Sequence, residues 1–335
     1  MTVTPVNRKV VLRHPVTGTP SARDFKIAAE PAPTPKAGEF VVRHHYIALD
    51  PWQRSAIAGR HSAGQQPLGA GVMPPAQVIG EVLQSRHKGF SEGTHVRLAG
   101  GWQEYSLSDG TGVTPITAGE VPLSAYLGVL GMPGLTAWAS VMRLADVQPG
   151  QVVLVSAALG PVGSMVGQLA QQRGARAVGI AGGAEKCARV VTNLGFSECV
   201  DYRAADYPDA LRTALSEGAD VYHDNVGGQM LIDACNVMKD YGTVVLCGLI
   251  SQYNDPAQAV HLPVAIPIMK RLTMKGLVVY DHGDAEAEFV ASVGPLITDG
   301  SIRYLEDRAT GIEAAGEHFA RLMSGRNMGK TLVVI

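Results

Sequence analysis

The sequence predicts an α/β protein in which a doubly wound parallel sheet is joined to a smaller, mostly β domain. Between residue 152 and about residue 298, apolar β-branched runs alternate with helical patterns, which is typical of a parallel sheet covered by helices. Before residue 125, short alternating runs are separated by Pro and Gly, which indicates a barrel-like β domain. We therefore expect the sheet domain over residues 129–299 and the β-rich domain over residues 1–128 and 300–335.

A glycine-rich turn separates the first apolar run of the predicted sheet from the helical pattern that follows it. Gly160 and Gly163 leave room for a ligand, Pro161 suits a first helical turn, and Gly167 allows the helix to pack closely. The first N–H groups of a helix and its partial positive charge favour a pyrophosphate. Strand, turn and helix thus predict the first unit of a Rossmann dinucleotide-binding sheet. Ala158 replaces the first glycine of the usual pattern, and a tight turn without a ligand is the alternative.

The remaining elements follow from the same patterns. Strands are predicted at 152–155, 175–181, 199–202, 220–226, 242–248 and 275–280. Helices are predicted at 185–194, 206–217, 230–239 and 313–323, with a further helical region after a Pro-Gly turn at 133–134. Residues 59–75 are rich in Gly and Pro and predict a long surface loop, and residues 329–335 are expected to return to the N-terminal domain.

Composition and charge exclude several classes of protein. The formal net charge of −2 gives no electrostatic reason to expect binding to nucleic acid or to an anionic membrane. No apolar run is long enough to span a bilayer, and the N-terminus lacks the apolar core of a signal peptide. The four cysteines form no C-x-x-C pair and are interpreted as buried free thiols. We therefore expect a soluble cytoplasmic protein.

The end of the second predicted sheet strand indicates which dinucleotide binds. NAD-binding sheets place an Asp or Glu there, whereas this strand ends Gly179-Ile-Ala-Gly-Gly183 and has no acid. Without that carboxylate a 2′-phosphate is not repelled, Lys186 supplies a positive charge, and Tyr202 and Arg203 can close the same pocket. We predict NADP(H) rather than NAD(H). Glu185 is counter-evidence unless it is a solvated first-turn acid, and Lys186 by itself could be an ordinary exposed lysine.

Metal-dependent chemistry is not expected. The N-terminal domain contains no cysteine, and its histidines are His14, His44, His45, His61, His87 and His95. The adjacent His44 and His45 would point to opposite faces of a strand and could not bind one ion together. We therefore expect no zinc, structural or catalytic, and no alcohol oxidation through a metal alkoxide.

Six stretches give the chain a resemblance to a known family: Leu49-Asp-Pro-Trp-Gln-Arg54, Gly131-Met-Pro-Gly-Leu-Thr-Ala137, Ala157-Ala-Leu-Gly-Pro-Val-Gly163, Asp224-Asn-Val-Gly-Gly228, Cys247-Gly-Leu-Ile-Ser-Gln-Tyr-Asn254 and Asn327-Met-Gly-Lys330. The chain resembles the zinc-independent branch of the medium-chain dehydrogenase/reductases. Within that branch it is similar to the prostaglandin reductase, leukotriene B4 dehydrogenase and 2-alkenal (double-bond) reductase group, which includes bacterial curcumin reductases. Two positions depart from the pattern: Trp52 replaces the more usual tyrosine, and His223 stands where an aromatic residue is common.

The resemblance implies a GroES-like fold for the β-rich domain, a homodimer, and a set of NADP(H) contacts. The pyrophosphate would be held by Gly160, Pro161, Val162 and Gly163, and the 2′-phosphate by Lys186 and Tyr202. The rest of the cofactor would be lined by Met132, Pro133, Thr136, Asn225, Cys247, Gly248, Ile250, Ser251, Tyr253, Val278, Val279, Tyr280 and Asn327.

The implied reaction is NADPH-dependent reduction of the carbon–carbon double bond of an α,β-unsaturated aldehyde or ketone, including 15-oxoprostaglandin-type enones. Hydride goes to the β-carbon, and a tyrosine stabilises the enolate oxygen before a phenol or water protonates the α-carbon. Tyr253 is the first candidate for that donor, Tyr280 the second and Tyr46 the third, although each could be a packed tyrosine with a satisfied hydroxyl. A quinone reductase on the same fold and a non-catalytic NADPH-binding sensor are the alternatives.

Overall fold

The computed structural model describes residues 5–117, 119 and 121–335, which form two compact units. One unit comprises the described residues up to Leu127 together with Glu306–Ile335, and the other comprises Gly128–Leu305. Residues 1–4, 118 and 120, which the sequence assigns to the β-rich domain, lie outside the described residues. Residues 300–305, assigned to the same domain, belong instead to the second unit, where the Ile302 N–H donates to the Leu296 carbonyl at 2.7 Å.

The first unit begins with seven strands and one helix. They are β1 (Val6–Leu12), β2 (Phe25–Pro31), β3 (Phe40–Leu49), α1 (Trp52–Ile57), β4 (Gln77–Ser85), β5 (His95–Ala99), β6 (Tyr105–Ser108) and β7 (Thr114–Ile116). Short 3-10 helices occupy Ala22–Asp24 and Leu123–Leu127. Residues 59–75 contain neither helix nor strand, in agreement with the long loop that the sequence predicts.

The second unit contains the parallel sheet and the helices that cover it. Its elements are α2 (Met132–Trp138), β8 (Val152–Ser156), α3 (Pro161–Gln172), β9 (Arg176–Ala181), α4 (Ala184–Leu194), β10 (Glu198–Asp201), α5 (Tyr207–Ala214), β11 (Ala219–Asp224), α6 (Gly228–Asn236), β12 (Met238–Leu246), α7 (Ile250–Tyr253), α8 (Ala265–Lys270), β13 (Thr273–Gly276) and α9 (Glu286–Thr298). A π-helical segment, Ala139–Leu144, continues α2, and 3-10 helices occupy Pro256–Gln258 and Val279–Ala285.

The strands of this sheet lie in the order β10-β9-β8-β11-β12-β13, and every neighbouring pair is parallel. This is the strand order of the doubly wound dinucleotide-binding fold. Val153, Leu154 and Val155 are fully buried, because helices cover both faces of the sheet. The predicted fold class is confirmed.

The chain then returns to the first unit through β14 (Glu306–Thr310), a 3-10 helix (Ile312–Ala314), α10 (Ala315–Met323) and β15 (Lys330–Val334). β15 pairs antiparallel with β3, so the larger sheet of this unit has the order β14-β15-β3-β4-β5-β7, with β6 also on β3. Phe25, Trp102 and Phe319 pack together in its core, with the Trp102 ring 5.3 Å from each phenylalanine ring. The predicted return of the C-terminal segment is found.

Two predictions at the far end of the parallel sheet are wrong. The last strand does not cover residues 275–280, because the chain turns into a 3-10 helix after the Leu277 N–H has bonded to the Leu246 carbonyl. The helix predicted over residues 230–239 ends earlier, because Met238 already pairs with Ala219 of β11 as the first residue of β12. Long-range strand pairing decides both boundaries.

Candidate active site

The carboxyl ends of the six parallel strands form one edge of the second unit, and most predicted cofactor contacts of this unit follow those ends. The strand order reverses between β8 and β11, which is where open α/β sheets bind ligands. Asn225, the first residue after β11, connects the carboxyl ends of β11 and β8. Its Nδ2 donates to the Ser156 carbonyl at 2.8 Å, and its backbone N–H donates to the Ser156 Oγ at 2.8 Å.

The N-terminus of α3 follows the tight turn after β8. Gly160 is the N-cap residue and provides no side chain to cap the helix, so the first N–H groups face outward for an anion. A Cβ at position 163 would lie 2.5 Å from the Ala157 carbonyl oxygen, and Ala157 itself has a left-handed φ of 50°. Pro161 occupies the first helical position, as predicted. This turn suits a pyrophosphate, because a helix N-terminus favours an anion and neither Gly160 nor Gly163 has a side chain to obstruct it.

The two small residues around this turn pack against neighbouring elements. Ala158, in the place of the first glycine, is fully buried, and its N–H donates to the Ile180 carbonyl at 3.0 Å. A Cβ at Gly167 would overlap the ring of Phe196, the buried residue just before β10. Gly167 therefore packs against the Phe196 ring, a contact that the sequence alone does not predict.

The ends of β9 and β10 meet beside the first turn of α4. A Cβ at Gly182 would lie 2.8 Å from the Tyr202 Cε1 and 2.9 Å from the Arg203 Nε. The guanidinium carbon of Arg203 is 5.6 Å from the centre of the Tyr202 ring. Asp201 holds this corner, because its Oδ1 accepts hydrogen bonds from Gly183 N–H at 2.7 Å and from Arg203 N–H at 2.9 Å.

Two residues of α4 test the argument for NADP(H). Lys186 lies half-buried in the first turn, beside the corner formed by β9 and β10. Glu185 is largely exposed and accepts a hydrogen bond from Arg189 at 3.0 Å, one turn further along the helix. The interpretation of Glu185 as a solvated acid agrees with this geometry. The corner thus carries two cationic side chains and suits a 2′-phosphate.

The segment after β12 lies against Asn225. The N–H groups of Cys247 and Gly248 donate to the Asp224 carbonyl at 2.9 and 3.1 Å, and the Ser251 Oγ donates to the Val226 carbonyl at 2.6 Å. A Cβ at Gly248 would lie 2.8 Å from the Asn225 carbonyl oxygen. Burial raises the pKa of Cys247 to about 12, so its thiol is neutral. Four of the predicted contacts, Cys247, Gly248, Ile250 and Ser251, are thereby gathered beside Asn225.

Asp224 anchors this arrangement and is not among the site residues that the sequence predicts. The side chain is fully buried, and its Oδ1 accepts hydrogen bonds from the Tyr222 hydroxyl at 2.7 Å and from the Ser156 Oγ at 3.2 Å. Its Oδ2 accepts from the Gly227 N–H at 3.0 Å. The signal that could have identified it is the polar run Asp-Asn that directly follows an apolar strand.

The two leading candidates for the donor tyrosine differ in their surroundings. Tyr253 ends α7, and its hydroxyl accepts a hydrogen bond from the Leu249 N–H at 3.3 Å. Burial raises the pKa of Tyr253 above the ordinary tyrosine value. Tyr280 lies in the 3-10 helix after β13 and is 69% exposed, and Val278 beside it is also exposed, whereas Val279 is partly buried.

The predicted contacts on α2 are held by their own helix. Thr136 is buried, and its hydroxyl donates to the Met132 carbonyl at 2.7 Å. Pro133 and Gly134 lie inside the helix and do not form the turn that the sequence suggested before it. A Cβ at Gly134 would overlap the Val129 carbonyl, so only glycine allows this helix to pack so closely against residue 129.

Several motif residues belong to the first unit. Asn327 precedes β15, and its Nδ2 donates to the Gly329 carbonyl at 2.9 Å. Lys330 and Asp50, from two of the stretches that carry the resemblance, form a buried ion pair that the sequence did not predict. Tyr46 lies on β3, with the Arg308 guanidinium carbon 5.8 Å from its ring centre. The cofactor contact predicted for Asn327 stays a prediction.

The described part of the chain has neither a metal-binding cluster nor a membrane-spanning helix. Among residues 5–117, 119 and 121–335, no group of three or more His, Cys, Asp or Glu side chains could hold a metal ion. Within the same residues, no helix is long and apolar enough to cross a membrane. His44 is buried on β3 while His45 is half-buried, as the alternation of side chains along a strand predicts.

Known proteins resemble this chain along almost its whole length. Residues 8–116 match the family described as the N-terminal domain of oxidoreductase, and residues 161–293 match the family described as zinc-binding dehydrogenase. The NADPH-dependent curcumin reductase of Escherichia coli (strain K12) is 33% identical over 98% of this chain and 96% of its own length. The NADP(+)-dependent 2-alkenal reductase of Nicotiana tabacum is 36% identical over 98% of this chain and 97% of its own length. The crystal structure of CurA from Vibrio vulnificus in complex with NADPH has a TM-score of 0.90 and 35% identity, with 98% of each chain covered.

Proposed function

The chain belongs to the zinc-independent medium-chain dehydrogenase/reductases, in the group of curcumin, 2-alkenal and prostaglandin reductases, and we propose that it reduces the conjugated double bond of small enals and enones. As a member of this group it is an NADP(H)-dependent oxidoreductase that acts on CH–CH bonds. The observation that carries the proposal is the full-length similarity to the tobacco 2-alkenal reductase. The proposal covers small enals and enones as a class.

The second unit supplies the residues proposed to bind the cofactor. The N-terminus of α3, with Gly160 and Gly163, would hold the pyrophosphate through backbone N–H groups. Lys186, Tyr202 and Arg203 would surround the 2′-phosphate, which two cationic side chains and the lack of an acid after β9 favour. Asn225 and the segment after β12 would line the nicotinamide half, since they follow the strands on the other side of β8.

The proposed chemistry assigns the phenol of Tyr253 to the substrate carbonyl. NADPH, when bound, supplies a hydride to the β-carbon. Negative charge then accumulates on the carbonyl oxygen, and a protonated phenol that donates a hydrogen bond to this oxygen lowers the barrier. Tyr253 ends α7, directly after the segment that packs beside Asn225, which supports this role. The phenol or a water molecule then delivers the proton to the α-carbon. Tyr280 is the second candidate for the donor.

The test is a turnover assay that follows NADPH oxidation with an alkyl enal, an aryl enone, a quinone and a simple ketone, each repeated with NADH. We expect turnover of the enal and the enone with NADPH, little turnover with NADH, and none of the ketone. A product that retains the carbonyl and lacks the double bond, identified by mass spectrometry and NMR, would support the assignment. Strong preference for the quinone would indicate a quinone reductase, and NADPH binding without turnover would indicate a sensor.

We further propose that the protein is a homodimer that pairs through the β13 edge of the parallel sheet. β13 ends the sheet on one side, and the helix before it exposes Val264, Ile268 and Met269. An exposed apolar surface beside an unpaired strand edge suits a second copy of the same chain. Light scattering after size exclusion should give twice the chain mass, and Ile268→Glu should shift it towards the monomer. A monomeric wild-type protein would contradict the dimer.

A cytoplasmic location is proposed from the cysteines. Cys187, Cys199, Cys235 and Cys247 are all free thiols. Reducing compartments maintain free thiols, whereas exported proteins tend to pair them. Cell fractionation with a tagged full-length chain would check the location, and recovery in a membrane or exported fraction would contradict it.

A further inference from the structure

A line of three polar side chains crosses the centre of the parallel sheet and ends at the proposed cofactor. Ser140, in the π-helical segment, places its Oγ 2.7 Å from the Nδ1 of His223 on β11. The Nε2 of the same imidazole is 3.2 Å from the Oδ1 of Asn225. Ser140 is 1% exposed and His223 is fully buried, and Asn225 is partly exposed at the end of this line. A buried histidine in a central strand needs such partners.

The partners of Asn225 fix where every proton in this line resides. Ser156 presents a backbone carbonyl, which can only accept, so the Asn225 atom bonded to it is the amide nitrogen. The Asn225 oxygen therefore faces His223, and the Nε2 of His223 must carry the hydrogen. Its Nδ1 is then an acceptor, so the Ser140 hydroxyl donates to it. Only one arrangement of donors and acceptors satisfies all three side chains.

The position of Asn225 in the sheet indicates which part of the cofactor this line serves. The 2′-phosphate corner lies at the ends of β9 and β10, on one side of β8, whereas Asn225 follows β11 on the other side. A dinucleotide that spans this edge with its pyrophosphate at α3 therefore brings its nicotinamide half to Asn225. Asn225 retains a second amide hydrogen on Nδ2 and a second lone pair on Oδ1 for that half.

We propose that His223 is a positioning residue for the nicotinamide half of NADP(H), acting through its hydrogen bond to the Asn225 amide. This inference rests on the proposed function, because it takes Asn225 as a cofactor contact. Without the donor on His223, the Asn225 side chain would be held by Ser156 alone, and its amide plane could rotate about that one bond. Ser140 donates to the Nδ1 of His223 once the Asn225 oxygen has fixed the tautomer, and so belongs to the same line.

The experiment compares the affinity of the full-length chain for NADPH and for 2′,5′-ADP, which contains the adenine half with its phosphate but no nicotinamide. We expect His223→Phe to weaken NADPH binding about three- to tenfold, the usual effect of one lost hydrogen bond, and to change 2′,5′-ADP binding less than about twofold. The kcat for an enal should fall together with NADPH affinity, while the KM for the enal stays within about twofold.

Two further variants separate the two hydrogen bonds of the imidazole. A glutamine amide reaches the position of Nε2, whereas the shorter asparagine amide reaches only that of Nδ1. We therefore expect His223→Gln to retain most NADPH affinity and His223→Asn to lose about as much as His223→Phe. Ser140→Ala should have a smaller effect, because the Nε2–H tautomer stays available. If His223→Phe does not fold, the Gln and Asn pair makes the same comparison.

His44 offers a matched control in the first unit. It is 1% exposed, and its ring nitrogens are likewise hydrogen-bonded, Nδ1 to the Gln103 carbonyl at 2.6 Å and Nε2 to the Ser106 Oγ at 2.8 Å. We expect His44→Phe to lower stability as His223→Phe does, with both ligand affinities unchanged.

Three outcomes would overturn the inference. The first is a His223→Phe protein that binds NADPH as tightly as the wild type. The second is a loss of NADPH and 2′,5′-ADP affinity in equal measure, because that would make His223 a residue of the fold only. The third is a His223→Gln protein as impaired as His223→Phe. A wild-type chain that binds neither ligand would overturn the proposed function and this inference together, whereas the other outcomes leave the proposed function intact.

Discussion

Single side chains at the corner between β9, β10 and α4 carry the proposed preference for NADP(H). Gly182 brings the backbone close to Tyr202 and Arg203, and Asp201 uses its carboxylate to hold the turn by accepting from two backbone N–H groups. Asp201 is therefore an acid at this corner whose Oδ1 is used to hold the turn. Glu185, the other acid, is paired with Arg189.

Replacement of Lys186 by Ala should change cofactor preference. We expect the KM for NADPH to rise about tenfold, because a charge-assisted contact with the 2′-phosphate is lost, and the KM for NADH to stay within about twofold. Steady-state assays with both cofactors measure this. Arg212→Ala, which removes an exposed cation from α5, is the control and should leave both values unchanged. Equal effects on NADPH and NADH would show that Lys186 does not contact the phosphate.

Replacement of Tyr253 by Phe should slow chemistry more than binding. We expect the kcat for an enal to fall about a hundredfold, the usual effect of losing one donor to a developing oxyanion, with NADPH affinity nearly unchanged. Stopped-flow measurement of NADPH oxidation gives both quantities. Tyr280→Phe is the comparison and should retain most activity, since Tyr280 is largely exposed. If Tyr253→Phe turns over at the wild-type rate, another group or water is the donor.

At the scale of elements, the position of helix α3 depends on two glycines that have no side chain to separate it from its neighbours. Gly163 lets its first turn approach the Ala157 carbonyl, and Gly167 lets its second turn contact the Phe196 ring. Both glycines are buried in the described structure, so a side chain at either position has no solvent to enter. The helix N-terminus is thereby held at the end of β8, where its N–H groups can serve a ligand.

Replacement of Gly167 by Ala should destabilise the protein by about 1–3 kcal/mol, because the added methyl overlaps a buried ring. Urea unfolding followed by circular dichroism measures the change. Gly294→Ala in α9 is the matched control, since a Cβ there meets nothing within 4 Å. That variant should be neutral or gain up to about 1 kcal/mol from helix propensity. A second change, Phe196→Leu, should recover part of the Gly167→Ala loss, and full additivity of the two changes would argue against the contact.

At the scale of the whole molecule, His44 in the first unit and His223 in the second are at most 1% exposed, and both respond to acid in the same direction. Burial lowers the pKa of His44 and of His223 to about 4 from an ordinary value of 6.5. Between about pH 4 and pH 6.5, these two histidines bind protons in the unfolded chain but not in the folded chain. The stability that neutral histidines contribute is therefore full above about pH 6.5 and is lost as the pH falls towards 4.

We expect the free energy of unfolding to decrease by up to about 3 kcal/mol for each histidine over this range. Urea unfolding at half-unit steps from about pH 7.5 to 4.5 measures the slope. His44→Phe should be less stable at neutral pH and should show a shallower dependence on pH, because one of the two groups is gone. Stability that does not change across this range would contradict the burial of neutral imidazoles.

Local patterns in the sequence predicted the parallel sheet and the glycine turn before α3, and both agree with the structure. Each of these features depends on residues that are neighbours in the chain, so hydrophobic periodicity and residue type are enough to predict it. The end of α6 and the bounds of β13 were wrong because strand pairing with distant segments decides them. The similarity to known reductases confirms the family and the cofactor.

What the sequence by itself determined is thus the fold class and the family, and the cofactor-binding residues that it indicates stay predictions. Only the tertiary structure decided which side chains form hydrogen bonds or ion pairs with one another. Ser140 and His223 are 83 positions apart, Ser156 and Asn225 are 69 apart, and Asp50 and Lys330 are 280 apart. Hydrogen bonds between such residues exist only after the strands and helices have packed, because packing alone brings their atoms within reach and excludes water from them.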